Sequence, residues 1–541
     1  MVYRSLSGHQ STQKRNSRPA SGLSLDQNLS RGMPRGGTEA HGRVCNKVFT
    51  IGAEEGIGSL EVSLESVSPE EVKHVAGSAD MDVLLIQPRW GGISRFPSRP
   101  PLGLAYIASA LRETGCECRL IDMQVEDVDV ESLVEAHAPR LIGFSVTTWT
   151  RHEVFSLVEL LKPKCSRAVF VAGGPHATAL PEQMLEGGLD AVVRGYGEET
   201  ITELMEVLDR PDLWNTVAGL SYRTREGSFE HNPDRGLPTS LEELPLPSFD
   251  LIDVGRYQWC GVSSSRGCPA GCLYCVNSRL FGRSVLLRTP QSFLDELEWL
   301  HKEHGVQRFY LVDEQFTFDN DRALQICRGI VGRGLDIEWQ VNSRVDRLSL
   351  DLLRSMKEAG CISMSLGIES GSKAILRRVH KGFRTETALQ AVSMAKEAGI
   401  RVKTSWIVGL PGTWDEQLES IDLMQAMKPN HIDVFLLTIY PGTPLWHRAE
   451  EFGITIDRDD PPMLVTDKLF SDKYHLSYLS DEEVIQIGLR MESAMADLGY
   501  QIISPGEETF DPTSSTMITF LSHLDGGRLQ QAEVTFGGVP E

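Results

Sequence analysis

From Asp82 onward the chain repeats one unit, a short and strongly apolar run followed by a segment with helical apolar spacing. Asp82–Gln87, Cys116–Ile121, Leu141–Val146, Ala168–Ala172 and Ala191–Val193 are the first runs, and Leu102–Glu113, Val154–Leu161, Pro181–Leu185 and Glu198–Leu208 are the helical segments among them. Runs that are apolar throughout, rather than at alternate positions, are buried on both faces, and strands joined by helices pair in parallel. Residues 81–210 are therefore expected to form an α/β doubly wound, Rossmann-like parallel sheet. A second series starts near Gly261–Ser265 and continues through Arg308–Val312, Glu338–Val341, Cys361–Leu366, Val402–Val408 and Ile432–Ile439. Six strand–helix units over residues 258–450 suit a partial, TIM-like (β/α)6 barrel. In both architectures the ligand belongs at the carboxyl ends of the strands.

The remaining segments are weaker fold candidates. Residues 1–80 begin rich in Ser, Arg, Gly and Gln and turn acidic from Glu54, which is the composition of a disordered extension. An Arg- and Ser-rich, acid-poor start also has the composition of an organelle transit sequence. Residues 211–257 are expected to be a linker, with a hairpin at Leu220–Arg225 and a proline-punctuated extended stretch at Leu241–Pro247. Residues 451–541 form a C-terminal satellite and tail, with a helix at Asp481–Met495 and little periodicity after Ser504.

A formal charge of −22 works against contact with a phosphate backbone, so nucleic acid is not an expected partner. No segment has the roughly 18 uninterrupted apolar residues of a membrane span, and Met1–Leu6 lacks the apolar core of a signal peptide. Ten cysteines dispersed over 541 residues do not make a disulfide framework. The expected location is the cytoplasm, where thiols stay reduced.

Three of those cysteines are not dispersed. Cys268-Pro269-Ala270-Gly271-Cys272-Leu273-Tyr274-Cys275 has the spacing C-x3-C-x2-C, which places three soft ligands on one short loop. Such a loop suits a thiophilic centre, iron–sulfur or zinc, and leaves a fourth position open. Neither a second C-x2-C pair nor a histidine at finger spacing follows to close a structural zinc site. Cys260 can be read as core or as reaching the site. Polar residues recur at the ends of the second series of strands: Asp313-Glu314-Gln315, Asn342, Arg344 and Asp346, Glu369-Ser370, and then Gly409-Leu410-Pro411-Gly412. An acid just past a buried strand is well placed to meet an ammonium or a ribose. Glycines collect in the same way after the fourth and fifth strands, at Gly173-Gly174-Pro175-His176 and Gly195-Tyr196-Gly197-Glu198, where backbone can approach a sizeable ligand. The absence of G-x-G-x-x-G after the first strand, and of a Walker lysine, argues against a dinucleotide or triphosphate.

The cysteine loop, with Tyr274 just before its last cysteine, resembles the cluster loop of radical S-adenosylmethionine enzymes, and residues 81–210 resemble the cobalamin-binding domain of that family's B12-dependent class. The resemblance implies that Cys268, Cys272 and Cys275 hold a [4Fe-4S] cluster whose open iron is chelated by S-adenosylmethionine. It implies that Asp313 and Glu314 lie at the methionine amino group, Glu369 and Ser370 near the ribose and carboxylate, and Gly409, Gly412 and Tyr274 near adenine. Gly173, Gly174, His176, Gly195 and Gly197 are implied to be cobalamin-binding. The D-x-H-x-x-G signature of other B12 proteins is absent; Gln87-Pro88-Arg89-Trp90 follows the first strand instead. His176 is accordingly expected as a wall or turn residue rather than a cobalt ligand. The implied chemistry is generation of a 5′-deoxyadenosyl radical and C-methylation of an unactivated carbon in a small-molecule substrate. The alternatives are oxidation, cyclisation or ring rearrangement of the porphyrin-cyclase kind, or a radical enzyme without bound cobalamin. An external one-electron donor such as flavodoxin or ferredoxin is the implied protein partner.

Overall fold

The computed structural model describes residues 81–89, 99–280, 282–504 and 515–524. The proposed extension at 1–80 lies outside the described residues, as do Trp90 and most of the tail after Ser504. Residues 77–541 belong to one compact unit.

The first sheet contains β1 (Val83–Gln87), β2 (Cys118–Asp122), β3 (Leu141–Ser145), β4 (Val169–Gly173), β5 (Ala191–Val193), β6 (Leu220–Arg223) and β7 (Phe229–His231), in the order β2-β1-β3-β4-β5-β6-β7. The first five strands are parallel. Side chains alternate across β1, so Val83 and Leu85 enter one apolar cluster while Leu84 and Ile86 enter the other, on the opposite face. Chain order reverses between β1 and β3, which opens a crevice at their carboxyl ends.

Two expectations about this region change. β2 runs on to Asp122, because that carboxylate is buried and accepts a 2.9 Å hydrogen bond from Tyr257 Oη. The predicted hairpin forms, but β6 pairs antiparallel with β5, so the hairpin extends the sheet instead of bridging domains. The stretch after it is also fastened down. Ser109 Oγ donates to Leu246 O (2.6 Å), and Arg112 holds Asp250 through both carboxylate oxygens (2.8 and 2.9 Å).

The second sheet contains β8 (Cys260–Val262), β9 (Arg308–Leu311), β10 (Glu338–Ser343), β11 (Cys361–Glu369), β12 (Arg401–Val408), β13 (His431–Leu436), β14 (Gln501–Ile502) and β15 (Thr516–Thr519). All pair in parallel, in the order β14-β15-β13-β12-β11-β10-β9-β8. The six expected strands are contiguous and form the partial barrel. The segment expected to be a satellite adds two more, because β15 pairs with β13 and brings Met517, Phe520 and Leu521 into the barrel core. Periodicity could not reveal a strand this short beside glycine- and serine-rich sequence. Cys260 is buried within the same core. No helix among the described residues is long and apolar enough to cross a membrane.

Candidate functional site

The cysteine loop leaves β8 through three serines that are held on several sides. Asp313, fully buried after β9, accepts from Ser264 N (2.8 Å), Ser264 Oγ (2.6 Å) and Ser265 Oγ. Arg322 donates to Ser264 O, and Arg288, ion-paired with the buried Glu296, donates to Ser263 O (3.3 Å). Glu314 then receives Gly267 N at 2.9 Å. Within the loop, Leu273 N donates to Val379 O (3.1 Å) and Leu273 O accepts from Leu445 N (2.9 Å), so backbone bonds stitch the loop to both neighbouring segments. The turn at residues 440–445, which follows the strand His431–Leu436, thus contributes through its main chain. Asp313, for its part, is occupied by the serines that launch the loop, while Glu314 faces the cavity described below.

The three thiols neighbour one another. Burial raises the pKa of Cys268, with the Cys272 charge adding to it, and burial pushes Cys275 up to about 11. Two cations oppose them: the Arg344 guanidinium faces Cys268 and Cys272, and the Lys381 ammonium faces Cys272 and Cys275. Arg344 also chelates Asp346 (3.0 Å on each oxygen) and donates to Lys381 O (2.8 Å). Among the described residues no three His, Cys, Asp or Glu side chains converge as a closed metal-ligand set. The donor chemistry nevertheless fits an anionic thiolate-bound cluster: three soft ligands on one loop, with two cations placed to balance their charge. Tyr274 Oη is buried beside the Cys272 thiol, and burial raises its pKa well above the usual phenol value.

Glu369 is the last residue of β11 and takes φ +70°, beside a break in the β11–β12 register. Its carboxylate pairs with Lys381 at 2.8 Å, and both side chains are largely buried. Burial pulls the lysine pKa down and the adjacent carboxylate more than restores it. Ser370 is buried and its Oγ accepts from Ser372 N (3.1 Å). Gly409 follows β12, and its carbonyl accepts from Tyr478 Oη (2.8 Å), a contact from the C-terminal segment. Beyond Gly412 a capping box formed by Thr413 and Glu416 starts the next helix.

A cavity of about 410 Å3 lies between the carboxyl ends of the first sheet and the approach to the cysteine loop. Leu85, Ile107, Phe144 and Val171 make its walls apolar, and Arg266 and Glu314 come from the barrel side. Gly173, Gly174, Gly195 and Gly197 all line it. A Cβ on Gly195 would meet nothing within 4 Å and so would project into open space, which is the cradle that a large planar ligand requires. Arg266 pairs with Glu198 at 2.7 Å while its guanidinium sits 4.4 Å above the Tyr106 ring and 5.5 Å from Tyr196. These residues fit a corrinoid held by shape and backbone. His176 does not line the cavity. Its Nδ1 is 3.2 Å from Thr148 Oγ1 and its Nε2 is 2.7 Å from Gln183 Oε1, and burial pushes its pKa down to about 4. Both ring nitrogens are committed, so the residue props the turn and offers no cobalt ligand.

Sequence reasoning passed over Arg266, Lys381 and Tyr478. Arg266 had the best signal, an arginine directly before the Gly267–Cys268 turn; the other two are single residues in loops without periodicity.

Residues 93–205 match the B12 binding domain and residues 262–424 match the Radical SAM superfamily. An uncharacterised methyltransferase of Pyrococcus horikoshii is 33% identical over 380 residues, covering 68% of this chain and 82% of that relative. The anaerobic magnesium-protoporphyrin IX monomethyl ester cyclase of Synechocystis is 30% identical over 397 residues, covering 69% of this chain and 78% of the cyclase. Among solved structures, the radical S-adenosylmethionine methyltransferase TsrM from Kitasatospora setae, with cobalamin and a [4Fe-4S] cluster bound, superposes with a TM-score of 0.65 at 17% identity, covering 84% of this chain and 96% of that one. That likeness is one of fold. With both domains present and relatives matched over most of their length, the chain belongs to the cobalamin-binding radical S-adenosylmethionine enzymes.

Proposed function

We propose that the protein methylates an unactivated carbon of a small-molecule substrate. The observation that carries this reading is the single apolar cavity bounded on one side by Gly173 and Gly195 and on the other by Arg266 and Glu314. It allows a ligand on the first sheet and one at the cysteine loop to address the same substrate. When bound, the cofactors supply the difficult steps: the cluster delivers an electron to the sulfonium of S-adenosylmethionine, and the corrinoid carries the methyl group. The protein supplies position and dryness. Cys268, Cys272 and Cys275 hold the cluster, and Arg344 and Lys381 balance its charge. Glu314 and the Glu369–Lys381 pair offer opposite charges to the amino acid and ribose portions of S-adenosylmethionine. Gly409 and Gly412 present backbone to adenine, with Tyr274 beside them. The apolar walls exclude water that would quench a carbon radical.

The test is anaerobic reconstitution with S-adenosylmethionine and methylcobalamin against an extract of the host, followed by mass spectrometry. Methyl transfer yields deoxyadenosine, S-adenosylhomocysteine and a product heavier by one methylene. The cyclase relative supports a second reading, oxidative ring formation, in which the product instead loses hydrogen or gains oxygen. Cys272→Ala is expected to abolish both cluster absorbance and deoxyadenosine under either reading; retained deoxyadenosine formation would refute both.

A further inference from the structure

The barrel strands carry two unlike faces. Phe309, Leu311, Trp339, Leu366, Trp406 and Val434 belong to the core that packs against the helices. The alternate positions face the lumen, and they are polar where a closed barrel is filled with branched apolar side chains. Strand register sets Asn342, Ser365, Lys403 and His431 in one row. Tyr310 joins the row from β9, its Oη donating to Asn342 Oδ1 at 2.9 Å. Asp433 on the same face is balanced within the chain, by Lys403 and by His431, each at 2.7 Å. Phe435, also on this face, is 51% exposed, so the lumen is open.

One cation reaches this face from the first domain. Arg99, just before the helix Leu102–Glu113, lays its guanidinium 4.0 Å over the Tyr310 ring. Gly261 leaves the room for it: a Cβ there would already touch Arg99 Cβ and Cδ, at 3.8 and 3.9 Å. The arginine is exposed, and among the described residues it meets no carboxylate. A stacked guanidinium keeps the N–H donors of its edge available. Asn342 has given its oxygen to Tyr310, and its amide N–H groups have no partner among the described residues. Val312, the next residue on this side of β9, lines the cavity shared with the first sheet. Two residues of extended chain place it about 7 Å from Tyr310.

We infer that Arg99 binds an anionic group of the substrate, a carboxylate or a phosphate, above the Tyr310 ring with Asn342 as second donor; this rests on the radical reading above. Both anions accept the paired N–H bonds of a guanidinium. The spacing from Tyr310 to Val312 puts the reacting carbon about 7 Å from that anion, within the length of one small molecule. Arg99 belongs to the domain that carries the glycine turns and Tyr310 to the barrel, so the substrate is gripped where the two meet.

The test uses the reconstituted holoenzyme with S-adenosylmethionine and methylcobalamin. An extract of the host is split on an anion exchanger at neutral pH, and each fraction is assayed for a new product by mass spectrometry. Portions of the retained fraction are treated with phosphatase or esterified in acidic methanol. Product is expected from the retained fraction alone. Phosphatase is expected to lower turnover about tenfold if the anion is a phosphate, and esterification if it is a carboxylate. Arg99→Gln is expected to raise the apparent KM, read from serial dilution of the retained fraction, about tenfold with little change in kcat, and to respond no further to the effective treatment. Arg99→Lys is expected to restore most of the affinity. A merely structural defect would instead lower turnover of treated and untreated material alike. Product from the unretained fraction, wild-type turnover indifferent to both treatments, or a wild-type KM in Arg99→Gln overturns the inference. Absence of deoxyadenosine from the wild type with every fraction instead overturns the radical reading.

Discussion

Glu369 sits at φ +70°, a conformation that residues with side chains avoid, and holds its carboxylate 2.8 Å from the Lys381 ammonium. Strain of this kind persists where the surroundings over-determine it, commonly at a ligand site. Glu369→Gln leaves a buried ammonium without its partner, and is expected to cost about 3–5 kcal/mol in urea unfolding and to abolish S-adenosylmethionine binding in equilibrium dialysis. The acid itself was legible as a polar residue ending an apolar strand; its lysine was not, because the run Val379-His380-Lys381-Gly382 has no period to mark it. Lys468 is a second buried ammonium, bonded to Thr438 Oγ1, with Asp467 as its charged neighbour and the His523 imidazole, whose pKa burial lowers, nearby. Burial pushes its pKa down to about 7, against about 10.4 in the unfolded chain. Between those values the unfolded state holds the extra proton, so this group's contribution to stability rises with pH. Lys468→Met is thus expected to be more stable than the wild type at pH 7, on the order of 1–3 kcal/mol, with the gap narrowing towards pH 9.5 in parallel denaturation curves.

The turn that follows β4 shows how a motif becomes geometry. Gly174 has φ +99°, and a Cβ there would stand 2.9 Å from Val146 O, the carbonyl that also receives His176 N (3.1 Å). Gly174→Ala is expected to cost about 1–3 kcal/mol and to strip corrinoid from protein purified without air, read from its visible absorbance. The glycine runs were visible in sequence because a close backbone approach leaves a compositional trace. The strands were visible because burial on both faces leaves an unbroken apolar run, as at β1 and β3. Asp122 broke such a run and ended the expected β2 one residue early, since nothing local announces that Tyr257 will satisfy its carboxylate. The Arg288–Glu296 pair and Arg322 clamp were equally silent: they act through serine carbonyls that any sequence would supply.

Across the whole molecule, contacts far apart in sequence join the first sheet to the barrel. Arg266 meets Glu198, and Asp460 near the C-terminal segment meets both Arg151 and Lys473, the latter at 2.6 Å. The order of domains was readable because each carries its own pattern, but the coupling between them rests on isolated charged residues and was not. The same holds for β15, whose register with β13 joins His431 to Thr516. A chain ending at Gly499 is expected to bury no partner against β13 and to elute from size exclusion as aggregate, whereas the full chain should give a monodisperse peak. That strand has a further consequence during synthesis. Among the described residues every other strand of the barrel precedes Thr516–Thr519 in the chain, so a nascent chain carries β13 as an open edge, competent to pair with neighbouring nascent chains until β15 covers it.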